Sequence, residues 1–233
     1  MPAQLFGKEH FLYIFITTAL AIATLLLAKR FARQEASQKA VLRILALLLL
    51  AAILTNRLSQ VFRYEEVRWY CIIPDSFCGM TSLVLSLAVL FGKKNNAVYH
   101  FVWLLGLFGS IATVIYATFL GQGPTIFYLP TISGLLHHSL SATLIVALFM
   151  WRQIDITYKK WYCTFFGFTA YLTLGAFLMQ TFPISDAFHI AEPLLPDTPL
   201  TAWVMAPMYA AAYALILFIV EMVKRRRSGR KEN

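Results

Sequence analysis

Charge is scarce in this sequence, and acid is scarcer still. Charged side chains make up 13% of the 233 residues and hydrophobic ones 59%, with a mean hydropathy of +0.66, whereas average soluble domains carry about 25% charged residues. With so little polar surface, water cannot be the main solvent. Eleven acids against twenty bases leave a net charge of +9. In a soluble protein that balance would suggest nucleic acid. Here most of the bases stand in short segments between apolar runs, where they set membrane topology, and no nucleic-acid partner is expected. Cysteine is also sparse: Cys71, Cys78 and Cys163 form no CxxC pair, which argues against a disulfide framework or a thiolate zinc site. No internal repeat is present. The glycine pair in Gly121-Gln122-Gly123-Pro124 lacks a P-loop around it and reads as a turn. No connection is long enough to hold a soluble domain.

What the chain has in abundance is apolar run length. A bilayer core of ~30 Å needs about 20 apolar helical residues, and runs at 11–28, 41–62, 71–91, 98–120, 131–151, 161–180 and 202–223 qualify. Lys29, Arg30 and Arg33 follow the first run instead of preceding it, and no small-x-small site comes after, so it reads as a retained anchor, not a signal peptide. The segments after the first, third, fifth and seventh runs hold 16 of the 20 bases. The other side holds Lys8, Arg57, Arg63 and Arg68 with seven of the eleven acids. The positive-inside rule then predicts an all-α polytopic membrane protein of seven transmembrane helices, N-terminus outside and C-terminus in the cytoplasm. Residues 1–223 form its single transmembrane domain and 224–233 a basic cytoplasmic tail. Trp69 and Trp203 fall near the outer interface, Trp151 and Trp161 near the inner one. Nothing marks an organelle address, so a plasma membrane is the default location. The connection 181–201, with four prolines, three acids and His189, is expected to act as a lid-like outer loop.

Ionisable groups inside a membrane are costly and therefore functional candidates. They cluster at one depth. With helices starting near Cys71 and Thr131, Cys78 and His138 each lie seven residues in, about 10 Å below the outer surface. Asp75, Cys78 and Ser82 share a helical face, as do Gly134, His138 and Ser141. Asn56, Ser59, Gln60 and Arg63 from the second run join them, and so do His10, Tyr13 and Thr17 from the first. A polar pocket opening to the outer leaflet is the simplest architecture. Within it a thiol surrounded by hydrocarbon keeps its proton and is inert, but a neighbouring imidazole can remove that proton and leave a thiolate able to attack an ester carbonyl. The histidine can then protonate the departing lyso-lipid alcohol. Backbone or Asn/Ser donors must hold the oxyanion, and Asn56 lies in a suitable layer. The bland reading makes Cys78 a small apolar residue and the pair His137-His138 packing glue. Two further readings compete: a metal-dependent lipid hydrolase or amidase using His10, His137 or His138, and His189, which lacks an HxxxH pairing, and a non-catalytic transporter or receptor using the same cavity.

Several short motifs then fall in order along the chain. Phe6-Gly7-Lys8-Glu9-His10 is similar to the N-terminal "FGxxH" of the bacterial YwaF-type integral membrane family, and Ile73-Pro74-Asp75-Ser76-Phe77-Cys78 resembles its "LPxxxC" signature. Gly106-Leu107-Phe108-Gly109 and Leu136-His137-His138-Ser139 resemble its Gly-rich and "H-G/S" motifs. The family includes a mammalian cysteine-histidine phospholipid acyltransferase. The resemblance implies that Cys78 is the acyl-accepting cysteine and His138 the base, with Asp75, His137, Ser139 and His10 in support. It also implies phospholipid and lysophospholipid partners and no cofactor. Two departures bear on substrate: Gly79 stands where an acidic or amide residue usually follows the cysteine, and Gln180 to Ser185 replaces the motif "N-x-G-x-N-Y".

The topology has a direct test. A C-terminal green fluorescent protein fusion is expected to fluoresce, and alkaline phosphatase fused within 185–195 to be active; the reverse pattern would refute the N-out orientation.

Overall fold

The computed structural model describes residues 4–63, 65–195 and 197–229; of the basic tail, Arg230 and Lys231 lie outside the described residues. Among the described residues seven α-helices follow in order: α1 (Lys8–Phe31), α2 (Glu35–Val61), α3 (Phe77–Phe91), α4 (Ala97–Ile115), α5 (Leu129–Met150), α6 (Tyr162–Thr181) and α7 (Ala202–Gly229). No strand occurs among the described residues. Six of the helices are long and apolar enough to cross a membrane, and α3, at 15 residues, is a shorter apolar one.

The expected elements are all present, but α3 begins six residues later than its apolar run. Pro74 is the cause. Its ring disfavours a helical Ile73, which is extended (φ −81°, ψ 126°). Trp69–Ile72 therefore closes as a separate 3₁₀ turn. Ser76 then caps a new helix, its hydroxyl accepting the Gly79 N–H at 3.2 Å. Asp75 consequently stands outside the helix, not on a helical face with Cys78 and Ser82. At the other end of the chain, α7 continues beyond 223 through Lys224 to Arg226, residues that favour helix and suit its C-terminal dipole.

The chain groups into two compact units, Met1–Lys94 with Val102–Gln153, and Asn95–Phe101 with Ile154–Asn233. In the first, α5 is the central helix. The α2 stripe Leu42, Leu45, Ala46, Leu49, Ile53 and Asn56 is buried, and α2 packs chiefly on α5 and α3. Lipid tails are as apolar as leucine, so close packing and polar bonds hold such helices together. Small residues permit the close packing. A Cβ on Gly106 would lie 2.7 Å from Ile145 Cδ1 and 3.1 Å from Thr81 Cγ2. Helix α1 is attached differently. Only His10 and Tyr13 of its residues are buried, and its remaining length borders two apolar grooves. One, of about 680 Å³, runs along α1, α2 and α5 from Thr17 to Phe31 and Ser37. The other, of about 350 Å³, lies between α1, α4 and α5.

In the second unit the Phe101 ring meets Tyr171 and Phe168 edge-on, at 4.8 and 5.7 Å between centroids. Gly167 leaves room for it, since a Cβ there would come within 2.2 Å of that ring. The loop between α6 and α7 is packed by its own aromatic: Phe188 is buried against Gly175 and Tyr171.

Candidate functional site

The late start of α3 puts Cys78 at the second position of the helix, in the first turn, where backbone N–H groups have no intrahelical acceptor. Cys78 is half-buried and unpaired. Its thiol hydrogen-bonds the Thr113 side chain of α4. One turn before Thr113, Gly109 makes room for the sulfur: a Cβ at Gly109 would sit 3.3 Å from Cys78 Sγ. The Gly-rich stretch of α4 thus serves α3 at two levels, Gly109 at the thiol and Gly106 at Thr81.

One turn further along α3, Ser82 Oγ lies 3.1 Å from His137 Nδ1 and ties α3 to α5. The His137 and His138 rings are 4.1 Å apart, and His138 stacks on Phe119 at 6.4 Å between centroids. Successive helical residues point about 100° apart, and the two imidazoles accordingly do different jobs. His137 holds α3. His138 is 5% exposed, and its Nδ1 is buried with no hydrogen-bond partner. Two more side chains on the same α5 stripe, Thr131 and Ser141, also bury hydroxyls without a partner. Residues 131, 134, 138 and 141 fall at i, i+3, i+7 and i+10, so this face of α5 combines unspent polar atoms with the small Gly134.

The remaining candidates have structural partners. Asn56 Nδ2 donates to Pro130 O at 2.9 Å and Ser133 Oγ at 3.3 Å, so its amide hydrogens are taken up in joining α2 to α5. Asp75 pairs with Arg57, Oδ1 to Nη1 at 2.8 Å. Ser139 Oγ is 2.9 Å from the Tyr13 hydroxyl and anchors α1. His10 accepts the Phe6 N–H at Nδ1, 3.1 Å, which leaves Nε2 to donate to Val114 O at 2.8 Å. Both its nitrogens are spent, so His10 staples the start of α1 to α4 and has no lone pair left for a metal. Among the described residues no three His, Cys, Asp or Glu side chains are grouped to hold a metal ion. The lining of the two grooves beside α1 includes neither Cys78 nor His138. Cys71 sits in the 3₁₀ turn, partly exposed and near the Asp75 carboxylate.

Three contributors were not singled out from sequence: Ser76, Thr113 and Arg57. Ser76 carried a readable signal, a capping residue two positions after a proline. Thr113 and Arg57 carried none, because their roles come from contacts between helices.

Replacing His10 with Ala is expected to remove two hydrogen bonds and lower stability by about 1–3 kcal/mol, read as a fall in thermal midpoint with unchanged metal content. A loss of bound metal with an unchanged midpoint would contradict the staple.

No curated protein and no solved structure matches the chain. One family does: the TMEM164 family profile covers residues 5–223, from before the His10 staple to the end of the apolar part of α7. With six long apolar helices and that match, this multi-pass integral membrane protein belongs to the TMEM164 family.

Proposed function

We propose that the protein is a lipid acyltransferase, moving a fatty acyl group between phospholipid and lysophospholipid through a thioester on Cys78 with His138 as general base. The observation that carries this reading is the contrast in hydrogen bonding. Nearly every candidate polar group is bound across the bundle, whereas His138 Nδ1 is buried and unspent, on the helix whose preceding residue is bonded one turn below Cys78. The ordered motifs shared with the YwaF-type family, which includes a cysteine-histidine acyltransferase, support the same assignment.

Helix length supports the depth of the site. Fifteen residues span about 22 Å at ~1.5 Å per residue, roughly 8 Å less than the hydrocarbon core. With Lys93 and Lys94 at the cytoplasmic interface, the first turn of α3 then begins below the outer surface, within reach of an ester carbonyl. Non-helical backbone at that depth is tolerated only where protein or a cavity satisfies it, which the turn and cap before α3 do.

In the first half-reaction His138 takes the Cys78 proton and the thiolate attacks the donor ester carbonyl. The oxyanion is held by the first-turn amide of Cys78, a donor that replaces Asn56 in this role. Collapse breaks the C–O bond, and His138 returns the proton to the departing lyso-lipid alkoxide. In the second half-reaction His138 deprotonates an acceptor hydroxyl, which attacks the thioester, and the released thiolate regains the proton. Water as acceptor would make the same site a hydrolase. With the N-terminus outside, as the positive-inside rule predicts, these steps take place in the outer leaflet, with the plasma membrane as the expected location.

Incubating purified protein with mixed phospholipids should give a hydroxylamine-labile acyl adduct on Cys78 by peptide mass spectrometry. Cys78→Ala should abolish the adduct, and His138→Ala should slow transfer by about 10²–10⁴-fold, the usual contribution of a general base. No adduct, with lipids unchanged and both variants like the parent, would refute the proposal.

A further inference from the structure

Arg57 is a largely buried cation next to the start of α3, and it is underused. Its side chain is 12% exposed, and it makes one ion pair, through Nη1 to a single oxygen of Asp75. Its Nε is buried with no hydrogen-bond partner. A guanidinium has five N–H donors arranged to meet two oxygens at once. A buried cation with one monodentate partner keeps most of its desolvation cost uncompensated.

Its position relates it to the thiol and the imidazoles. Asp75 lies three residues before Cys78, immediately outside the Ser76 cap. Asn56, the residue before Arg57, is bonded to the first turn of α5. The Arg57 charge is felt at both His137 and Cys71. The guanidinium therefore lies by the start of α3 and within electrostatic reach of His137 on α5, where the head group of a lipid presenting its ester to Cys78 would come. In a glycerophospholipid the phosphate is only a few bonds from that ester.

We infer that Arg57 is the anchor for the substrate's phosphodiester, with the guanidinium turned partly from Asp75 onto a phosphate oxygen, so that the site selects phospholipids over neutral glycerolipids. The inference rests on the transferase reading for its substrate. Arg57 is a positioning and specificity residue here, and Asp75 holds its side chain in place while the site is empty of lipid.

The test uses the full-length protein in detergent with phosphatidylglycerol and diacylglycerol of identical acyl chains. Lipid retention is read by native mass spectrometry and acylation of Cys78 by peptide mapping. The variants are Arg57→Met with Asp75→Asn, which removes both charges together, and Arg57→Lys, which keeps the charge without the fork. Circular dichroism verifies their fold. The paired variant is expected to lose phosphatidylglycerol retention roughly ten- to hundred-fold, as loss of hydrogen bonds to a charged group implies, with diacylglycerol retention unchanged and Arg57→Lys intermediate. Equal loss of both lipids, or loss of neither, would overturn the anchor. So would inorganic phosphate that binds Arg57-dependently but does not compete with phosphatidylglycerol, since that would make the source a free anion. Arg57-dependent retention without any Cys78 adduct in the parent would keep the anchor and sink the transferase. Adduct formation from phosphatidylglycerol at parental rate in the paired variant would do the opposite.

Discussion

Inside a membrane a polar side chain has no water to fall back on, so each must find its partner in the protein or be left unspent at a cost of several kcal/mol. That constraint organises the first unit of this fold. Ser82 to His137 joins α3 to α5, Asn56 to Pro130 and Ser133 joins α2 to α5, and Tyr13 to Ser139 and His10 to Val114 hold the N-terminal end of α1. These bonds, set among close contacts at glycine and alanine, do the work that the hydrophobic effect does in water. Against such thorough pairing the exceptions carry meaning. In this unit His138 Nδ1, the Thr131 and Ser141 hydroxyls and Arg57 Nε are buried and unspent, and in the other unit so are His100 Nδ1 and the Thr164 hydroxyl.

The second consequence concerns α3. At 15 residues α3 is shorter than the six helices long enough to cross a membrane, and it carries the thiol in its first turn. Pro74 ends the preceding turn, Ser76 starts the helix, and Gly109 and Thr113 of α4 receive the sulfur. One proline and one serine thus convert an unremarkable membrane cysteine into one with a helix N-terminus behind it. The other two cysteines differ in other ways: Cys71 lies in a 3₁₀ turn near a carboxylate, and Cys163, although also second in its helix, is buried in α6, whereas Cys78 is half-buried.

Helix number and class were legible in the sequence because apolar run length reports directly on what a bilayer requires. The start of α3 was misjudged because 71–76 is as apolar as the helix it precedes, and only the backbone restriction at Pro74 separates them. Residue types in the polar layer were legible too, but not their employment. Asn56, His10 and Ser139 look like catalytic candidates by type and depth, and become helix-to-helix bonds once partners are known. Arg57 counts in the sequence only as one of four outer-side bases, and its ion pair is with Asp75, eighteen residues away. Sequence spacing identifies which side chains share a face; it does not say which atoms on that face remain unspent.

The central proposal is that Cys78, in the first turn of α3, is the reactive thiol of the protein and His138 its base. The most direct measurement is competitive alkylation of the native protein by a lipophilic iodoacetamide at limiting dose, with modification of Cys71, Cys78 and Cys163 followed by peptide mass spectrometry. Cys78 should be modified first, and replacing His138 or Ser76 with Ala should bring its rate down toward that of the other two. Equal rates at all three cysteines, or a Cys78 rate indifferent to both substitutions, would contradict the account.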